Sequence, residues 1–198
     1  MPLNIYEQDL PRGPANFEAL TPIAFLQRSA AVYPDHVAVI HGDLRVSYSQ
    51  LAARCRRLGS ALAKSGIGIG DTVAVLAPNI PAHLEAHFGV AMAGGVLNAI
   101  NTRLDAKTVA FILDHGEAKV FLVDTELAPI AAEALKLCAA KPLLIDIVDH
   151  LGPAEPRLSK IDYEAFIAGG DPHFAVLWPA DEWQAVALNY TSGTTGNP

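Results

Sequence analysis

Three short, largely apolar runs constrain the fold more than any other feature of the chain: Thr72-Val-Ala-Val-Leu76, Lys119-Val-Phe-Leu-Val123 and Leu143-Leu-Ile-Asp-Ile-Val148. Each is too short for a helix of ordinary length, and each is apolar at both even and odd positions. That pattern belongs to strands covered on both faces. Between them lie stretches with helical spacing, Ile80 to Ala93, Asp105 to His115 and Glu126 to Cys138, with a fourth short strand expected over Gly95 to Ala99. Strands that alternate with helices are joined by right-handed crossovers, which makes the sheet mainly parallel. The expected fold class is therefore α/β, a layered, mainly parallel sheet flanked by helices.

Composition agrees with a packed body. Of 198 residues, 51% are hydrophobic and 18% charged, too apolar for a disordered chain. The mean hydropathy of +0.26 fits buried strands. A membrane span needs about 18 nearly uninterrupted apolar residues. The best candidate, Phe88 to Ile100, is shorter, carries Asn98 and is broken by Gly94-Gly95. A net charge of -7 argues against a nucleic-acid partner, which needs clustered Lys and Arg. Cys55 and Cys138 have no paired spacing and read as small core residues in a reducing compartment. Met1-Pro2-Leu3-Asn4 has neither a basic nor an apolar leader region, so cytoplasm is the expected location.

The chain divides into a polar, Pro-rich arm (1–20), an α/β body (21–148), an irregular excursion (149–184), and a last strand with its following loop (185–198). In the body, a helix begins at Thr21 and stops before Pro34. Val37 to Ile40 and Arg45 to Tyr48 flank His41-Gly42-Asp43-Leu44 as a hairpin. Ser47 and Gln50 have the spacing of a capping box. The helix they open places Leu51, Cys55, Leu58 and Leu62 on one stripe and ends at Gly66. Its Arg54, Arg56, Arg57 and Lys64 read as a solvated face. In the excursion a short helix is expected at Tyr163 to Ile167, and Trp178 and Trp183 are expected to pack it onto the body.

The segment with chemical character is Thr191-Ser192-Gly193-Thr194-Thr195-Gly196-Asn197-Pro198, directly after the strand expected over Gln184 to Tyr190. Glycine lets the backbone approach a ligand, and successive amide N–H groups in such a turn can converge on an anion. Hydroxyls add donors suited to phosphate oxygens. The composition also fits an ordinary turn. It is not a Walker loop, which requires a longer gap between its glycines and a Lys. Gly66-Ile-Gly-Ile-Gly70 follows a helix rather than a strand, so it reads as a helix stop and turn. His83 and His87, one helical turn apart, read as helix-surface histidines, because the Glu between them is misplaced for a zinc-protease motif. Asn79 and Pro81 read as the start of that helix. Asp114-His115-Gly116-Glu117 reads as a solvated helix end.

Tyr190-Thr-Ser-Gly-Thr-Thr-Gly-Asn-Pro198 resembles the signature loop of the adenylate-forming superfamily of acyl- and aryl-CoA synthetases, luciferase and peptide-synthetase adenylation domains. Val46-Ser-Tyr-Ser-Gln-Leu51 and Ala93-Gly-Gly-Val-Leu-Asn-Ala-Ile-Asn-Thr-Arg-Leu104 resemble two further blocks of that family, in the family's order. Asn98-Ala-Ile-Asn-Thr-Arg-Leu-Asp105 is most similar to the branch that activates fatty and other simple acids. The similarity runs from about Thr21 to Pro198 and covers about the first third of a family member. It implies an incomplete large N-terminal domain, with the C-terminal remainder of the enzyme missing. The Lys-Gly that continues the loop in the family does not follow Pro198. The implied reaction joins a carboxylic acid to ATP with Mg2+, releases pyrophosphate, and passes the acyl group to coenzyme A. Thr191, Ser192, Gly193, Thr194, Thr195 and Gly196 would hold the β- and γ-phosphates. No catalytic residue and no metal ligand is assigned within the chain, and the chain alone is expected to bind ATP weakly or not at all. Two other readings stay open at this point, a non-catalytic α/β scaffold or interaction module derived from that family, and an unrelated enzyme with a convergent phosphate loop.

Overall fold

The three apolar runs and the short segment after Gly95 form one parallel sheet. The structure, a computed structural model, describes residues 4–11, 13 and 15–191. The sheet consists of β3 (Thr72–Leu76), β4 (Val96–Ala99), β5 (Ala118–Asp124) and β6 (Leu143–Ile147), in the order β4-β3-β5-β6. All three neighbouring pairs are parallel. The connections are helical: α3 (Pro81–Met92) joins β3 to β4, α4 (Ala106–His115) joins β4 to β5, and α5 (Ala128–Leu137) leads from β5 to β6.

The pleat sorts the strand side chains onto two faces. Val73, Val75, Val120 and Leu122 pack with Leu58, Leu62, Val90 and Ile167, from α2 (Tyr48–Lys64), α3 and α6 (Tyr163–Ala168). Ala74, Leu76, Phe121 and Val123 pack with Val109, Leu113, Ala131 and Ala134 of α4 and α5. Covering on both faces is why these strands read as continuous apolar runs. A smaller cluster joins α1 (Pro22–Val32) to α2 and α3 through Ile23, Leu26, Cys55 and Met92.

Local signals set the boundaries. The Ser47 hydroxyl accepts from the Gln50 N–H, and the Gln50 side chain accepts from the Ser47 N–H, so the capping box is complete. Gly66 adopts φ +90° beyond the end of α2, and the Ile67 N–H reaches back to the Leu62 carbonyl. This is the left-handed stop that glycine favours. The hairpin of β1 (Val37–His41) and β2 (Leu44–Ser47) forms a separate two-stranded sheet. At the start of α3, Ile80 rather than Asn79 is the capping residue, and Pro81 opens the helix.

Three expectations change. Residues 184–190 do not form a strand of their own. They make one parallel bridge, Ala187 to Leu97, with hydrogen bonds from the Leu97 N–H to the Val186 carbonyl and from the Leu188 N–H to the Leu97 carbonyl. Trp183 is 94% exposed and Trp178 is also exposed, so neither anchors the excursion. That role falls to Val176, which packs on the α1–α3 cluster, and to the Leu177 N–H, which bonds the Met92 carbonyl. The basic face of α2 is not simply solvated. Arg57 donates to the Gly170 carbonyl and Lys64 to the Gly169 carbonyl, so both tie α2 to the end of α6. Among the described residues, no helix is long and apolar enough to cross a membrane.

Candidate functional site

In open parallel sheets the carboxyl ends of the strands, near the point where the connections reverse direction, form the natural ligand crevice. Here β3 lies between β4 and β5, so that point falls at Ala77-Pro78-Asn79 after β3 and Asp124-Thr125 after β5. A cavity of about 390 Å³ opens between the ends of β3 and β4, lined by Pro78, Asn79, His83, Ile100, Asn101 and Thr102. A larger and mostly apolar cavity of about 560 Å³ lies beside it, between α3, the hairpin and β4. Its walls include Val39, Leu84, Phe88, Leu97 and Val186. Asn79 and His83 border both.

His83 is the best-positioned polar group between the two cavities. Its Nδ1 lies 3.1 Å from the Pro78 carbonyl. A carbonyl only accepts, so the proton sits on Nδ1 and Nε2 carries the lone pair. Nε2 is buried without a hydrogen-bond partner among the described residues. His87 Nδ1 likewise lies 2.8 Å from the His83 carbonyl, with the two rings 5.2 Å apart. His83 is thus half-buried rather than a surface residue. Burial holds its imidazole below the ordinary range, the charge of His87 acts the same way, and the Pro78 and Ala77 carbonyls oppose them.

This shift has a definite sign. An unfolded histidine titrates near pH 6.5, and the folded His83 titrates lower. Between those values the unfolded chain binds more protons, so stability rises with pH. The contribution is complete above about pH 6.5 and is lost as pH falls through the folded value. His83→Gln is expected to flatten the acid limb of stability against pH, read as urea midpoints between about pH 5 and pH 7.5. An acid limb as steep in the variant as in the wild type would assign the loss to other groups.

Two further buried polar side chains carry atoms without partners among the described residues: both amide atoms of Asn98, in β4 and beside Gly116, and Asp124 Oδ2, at the end of β5. Burial raises the Asp124 carboxyl, and the neighbouring charges of Asp149 and Glu126 add to the effect. Sequence reasoning marked Asn98 as part of a family-like block and did not mark Asp124. An aspartate that closes an apolar strand was the available signal.

Of the candidate phosphate-binding residues, Thr191 is described and exposed. Ser192, Gly193, Thr194, Thr195 and Gly196 lie outside the described residues. The segment that leads to them is held to the body. Tyr190 Oη lies 2.7 Å from His115 Nδ1 and the Tyr190 ring meets Phe111 edge-on. His115 is exposed, as expected of a helix end, and also engages Tyr190. Asp114 likewise accepts from the Ala139 and Ala140 N–H groups and links α4 to the end of α5.

A third cavity, of about 320 Å³, is lined by a polar cluster that sequence reasoning did not assemble. Glu85 of α3 is 1% exposed. It accepts from Arg54 Nε at 2.5 Å and from Tyr163 Oη at 2.7 Å. Arg54 also donates to Glu164 at 2.5 Å. Burial raises the Glu85 carboxyl while Arg54 and Tyr163 pull it back. Burial likewise works against the Arg54 charge, but hydrogen bonds to Glu164 and Glu85 outweigh it and hold the guanidinium above its usual value. The two directions differ because each ion bears its own desolvation. Between its two carboxylate partners the Arg54 guanidinium stays charged. The cluster fixes α2, α3 and α6 against one another.

The AMP-binding enzyme family matches residues 26–198. A peroxisomal acetate/butyrate–CoA ligase of Arabidopsis thaliana is 52% identical over 96% of this chain and 36% of its own length. An acetate–CoA ligase of Humulus lupulus is 47% identical over the same shares. The chain therefore spans about a third of the length of the curated relatives it matches. Among solved structures, an anthranilate CoA ligase in complex with anthranoyl-AMP superposes with a TM-score of 0.81 at 22% identity, over 89% of this chain and 33% of that one. A benzoate CoA ligase from Burkholderia xenovorans gives 0.65 at 23% identity, over 78% and 29%. At those identities the likeness is one of fold.

Proposed function

The chain belongs to the AMP-binding enzyme family, and on that premise we propose that it is the N-terminal part of an AMP-forming acid–CoA ligase acting on short, simple carboxylic acids. The observation that carries the proposal is the 52% identity to an acetate/butyrate–CoA ligase across nearly the whole chain. The Asn98-to-Asp105 block, similar to the simple-acid branch, points the same way. The non-catalytic scaffold reading draws no support from these relatives, which are named as ligases.

Within this proposal, ATP provides the leaving group that activates the acid, coenzyme A the accepting thiol, and Mg2+ charge neutralisation. Of these, only contact with phosphate falls to residues of this chain. Thr191, Ser192, Gly193, Thr194, Thr195 and Gly196 would bind the β- and γ-phosphates through hydroxyls and unhindered backbone N–H groups. That donor set suits phosphate oxygens. Donors aimed at a departing pyrophosphate stabilise the charge that develops on it and so lower the barrier to adenylation. Tyr190, held by His115 and Phe111, would set the point from which the loop leaves the body. The lining of the 560 Å³ cavity suits an apolar acyl group rather than a charged one.

The test is carboxylate-dependent exchange of pyrophosphate into ATP, using the whole protein that carries this chain and a panel from acetate to long-chain and aryl acids. Exchange with acetate and butyrate is expected. Silence across the panel would overturn the ligase reading, and exchange only with aryl or long-chain acids would overturn the short-acid assignment. Thr194→Val in the same protein is expected to slow exchange by roughly tenfold to a hundredfold, the worth of one hydrogen bond to a charged group. The cytoplasmic location stands as a proposal against a peroxisomal one, which the Arabidopsis relative favours. A fluorescent fusion of the whole protein separates diffuse from punctate signal.

A further inference from the structure

Three potential metal ligands converge where the hairpin meets the end of the sheet. His41 closes β1, and Asp149 and His150 follow β6. His41 Nε2 lies 2.8 Å and 3.0 Å from the two Asp149 carboxylate oxygens. His150 Nδ1 lies 3.3 Å from Asp149 Oδ1. One ligand atom from each residue falls within 4.8 Å of the other two. A tetrahedral ion with bonds of about 2.0–2.1 Å holds its ligand atoms about 3.3 Å apart. The His150 edge to Asp149 Oδ1, 3.3 Å, matches that spacing, and the His41 edge, 2.8 Å, opens by about 0.5 Å to reach it.

We propose that His41, Asp149 and His150 form a binding site for a first-row transition-metal dication of the zinc class, which ties the β1–β2 hairpin to the carboxyl end of β6. Imidazole nitrogen with a single carboxylate oxygen is the donor set such ions prefer. Three protein ligands leave a fourth position for water. Access is available, because the His150 side chain is 51% exposed and both Asp149 and His150 border a cavity of about 320 Å³. His41 and Asp149 are mostly covered, at 17% and 12% exposure, so their positions are set by the fold. Arg45 stands near but is committed elsewhere, donating to the Gly42 and Leu44 carbonyls. Coordination at His41 Nε2 requires the Nδ1–H tautomer. The present bond from Nε2 to Asp149 is then replaced by two bonds to one ion.

The alternative is that the three side chains form only a hydrogen-bonded clasp. Titration of the untagged chain with Zn2+ by calorimetry, and with Co2+ by visible absorption, separates the two. One equivalent is expected, with the intense visible bands of tetrahedral Co2+. Asp149→Asn and His150→Ala should each weaken binding by about 100-fold or more, given that outer-sphere substitutions alone cost 10- to 100-fold. His150→Ala removes a half-exposed side chain and keeps the test valid should Asp149→Asn not fold, which far-ultraviolet circular dichroism reports. His83→Ala/His87→Ala should leave the stoichiometry unchanged. No binding by the wild-type chain, binding retained in His150→Ala, or binding lost in the His83/His87 variant would overturn the proposal.

Discussion

Glu85→Ala is expected to lower the stability of the chain by about 3 kcal/mol, a large part of the 5–15 kcal/mol typical of a domain. Two groups lose this partner at once. Arg54 keeps only Glu164, whose side chain is 65% exposed and screened by solvent. Tyr163 Oη, on a residue 2% exposed, is left with no acceptor. A buried donor without a partner costs about 1–3 kcal/mol by itself. The substitution also leaves a void between α2, α3 and α6, and Glu85→Met separates that term because it refills the space. Urea midpoints should place Glu85→Met between wild type and Glu85→Ala. A Met variant as stable as wild type would mean that the ion pair adds nothing net. In the cycle with Tyr163→Phe, the double variant should cost about 1–2 kcal/mol less than the sum of the singles, because the orphaned hydroxyl is gone. Strict additivity would dissolve the cluster into independent contacts.

Gly89→Ala should destabilise the chain by a similar amount, about 3 kcal/mol, at the upper end of ordinary overpacking. Helices α2 and α3 cross closely at this glycine. A Cβ there would stand 2.7 Å from Leu58 Cδ2 and 2.9 Å from Leu58 Cβ and Cγ. Leu58 is fully buried, and its Cβ cannot rotate away. On the facing helix, Gly59 would place a Cβ 3.1 Å from the Gly89 carbonyl, so both helices are small at the contact. An alanine at 89 therefore pushes α2 off α3 and strains the Glu85–Arg54 bond between them. Relief is expected from Leu58→Ala. Alone it opens a cavity costing about 2–5 kcal/mol, but combined with Gly89→Ala it should cost clearly less than the sum. Additive losses would show that the crossing relaxes in some other way. In whole protein, the same variant tests whether this packing supports exchange activity, since α3 begins at the two cavities.

The secondary structure was legible in the residues because its causes are local. Strand periodicity, the Ser47–Gln50 capping box, the stop at Gly66 and the helix between Asp105 and Gly116 each depend on neighbours a few positions away. The parallel sheet followed from the alternation of elements, and the family from its blocks in order, which the match over residues 26–198 bears out. Where local pattern misled, a distant contact was the reason. Residues 184–190 alternate like a strand, yet among the described residues their backbone pairs with the sheet at Leu97 and gains a single bridge. Arg54 has the spacing of a wet helix face, but its partners Glu85 and Glu164 lie 31 and 110 positions away. His41 and Asp149, separated by 108 positions, meet only because the hairpin folds over the end of β6. The sequence by itself determined the elements, their parallel order and the family, since hydrophobic period and capping act within a turn or two. Only the tertiary structure decided which charges are buried and which histidines meet a carboxylate, because desolvation and pairing depend on neighbours in space.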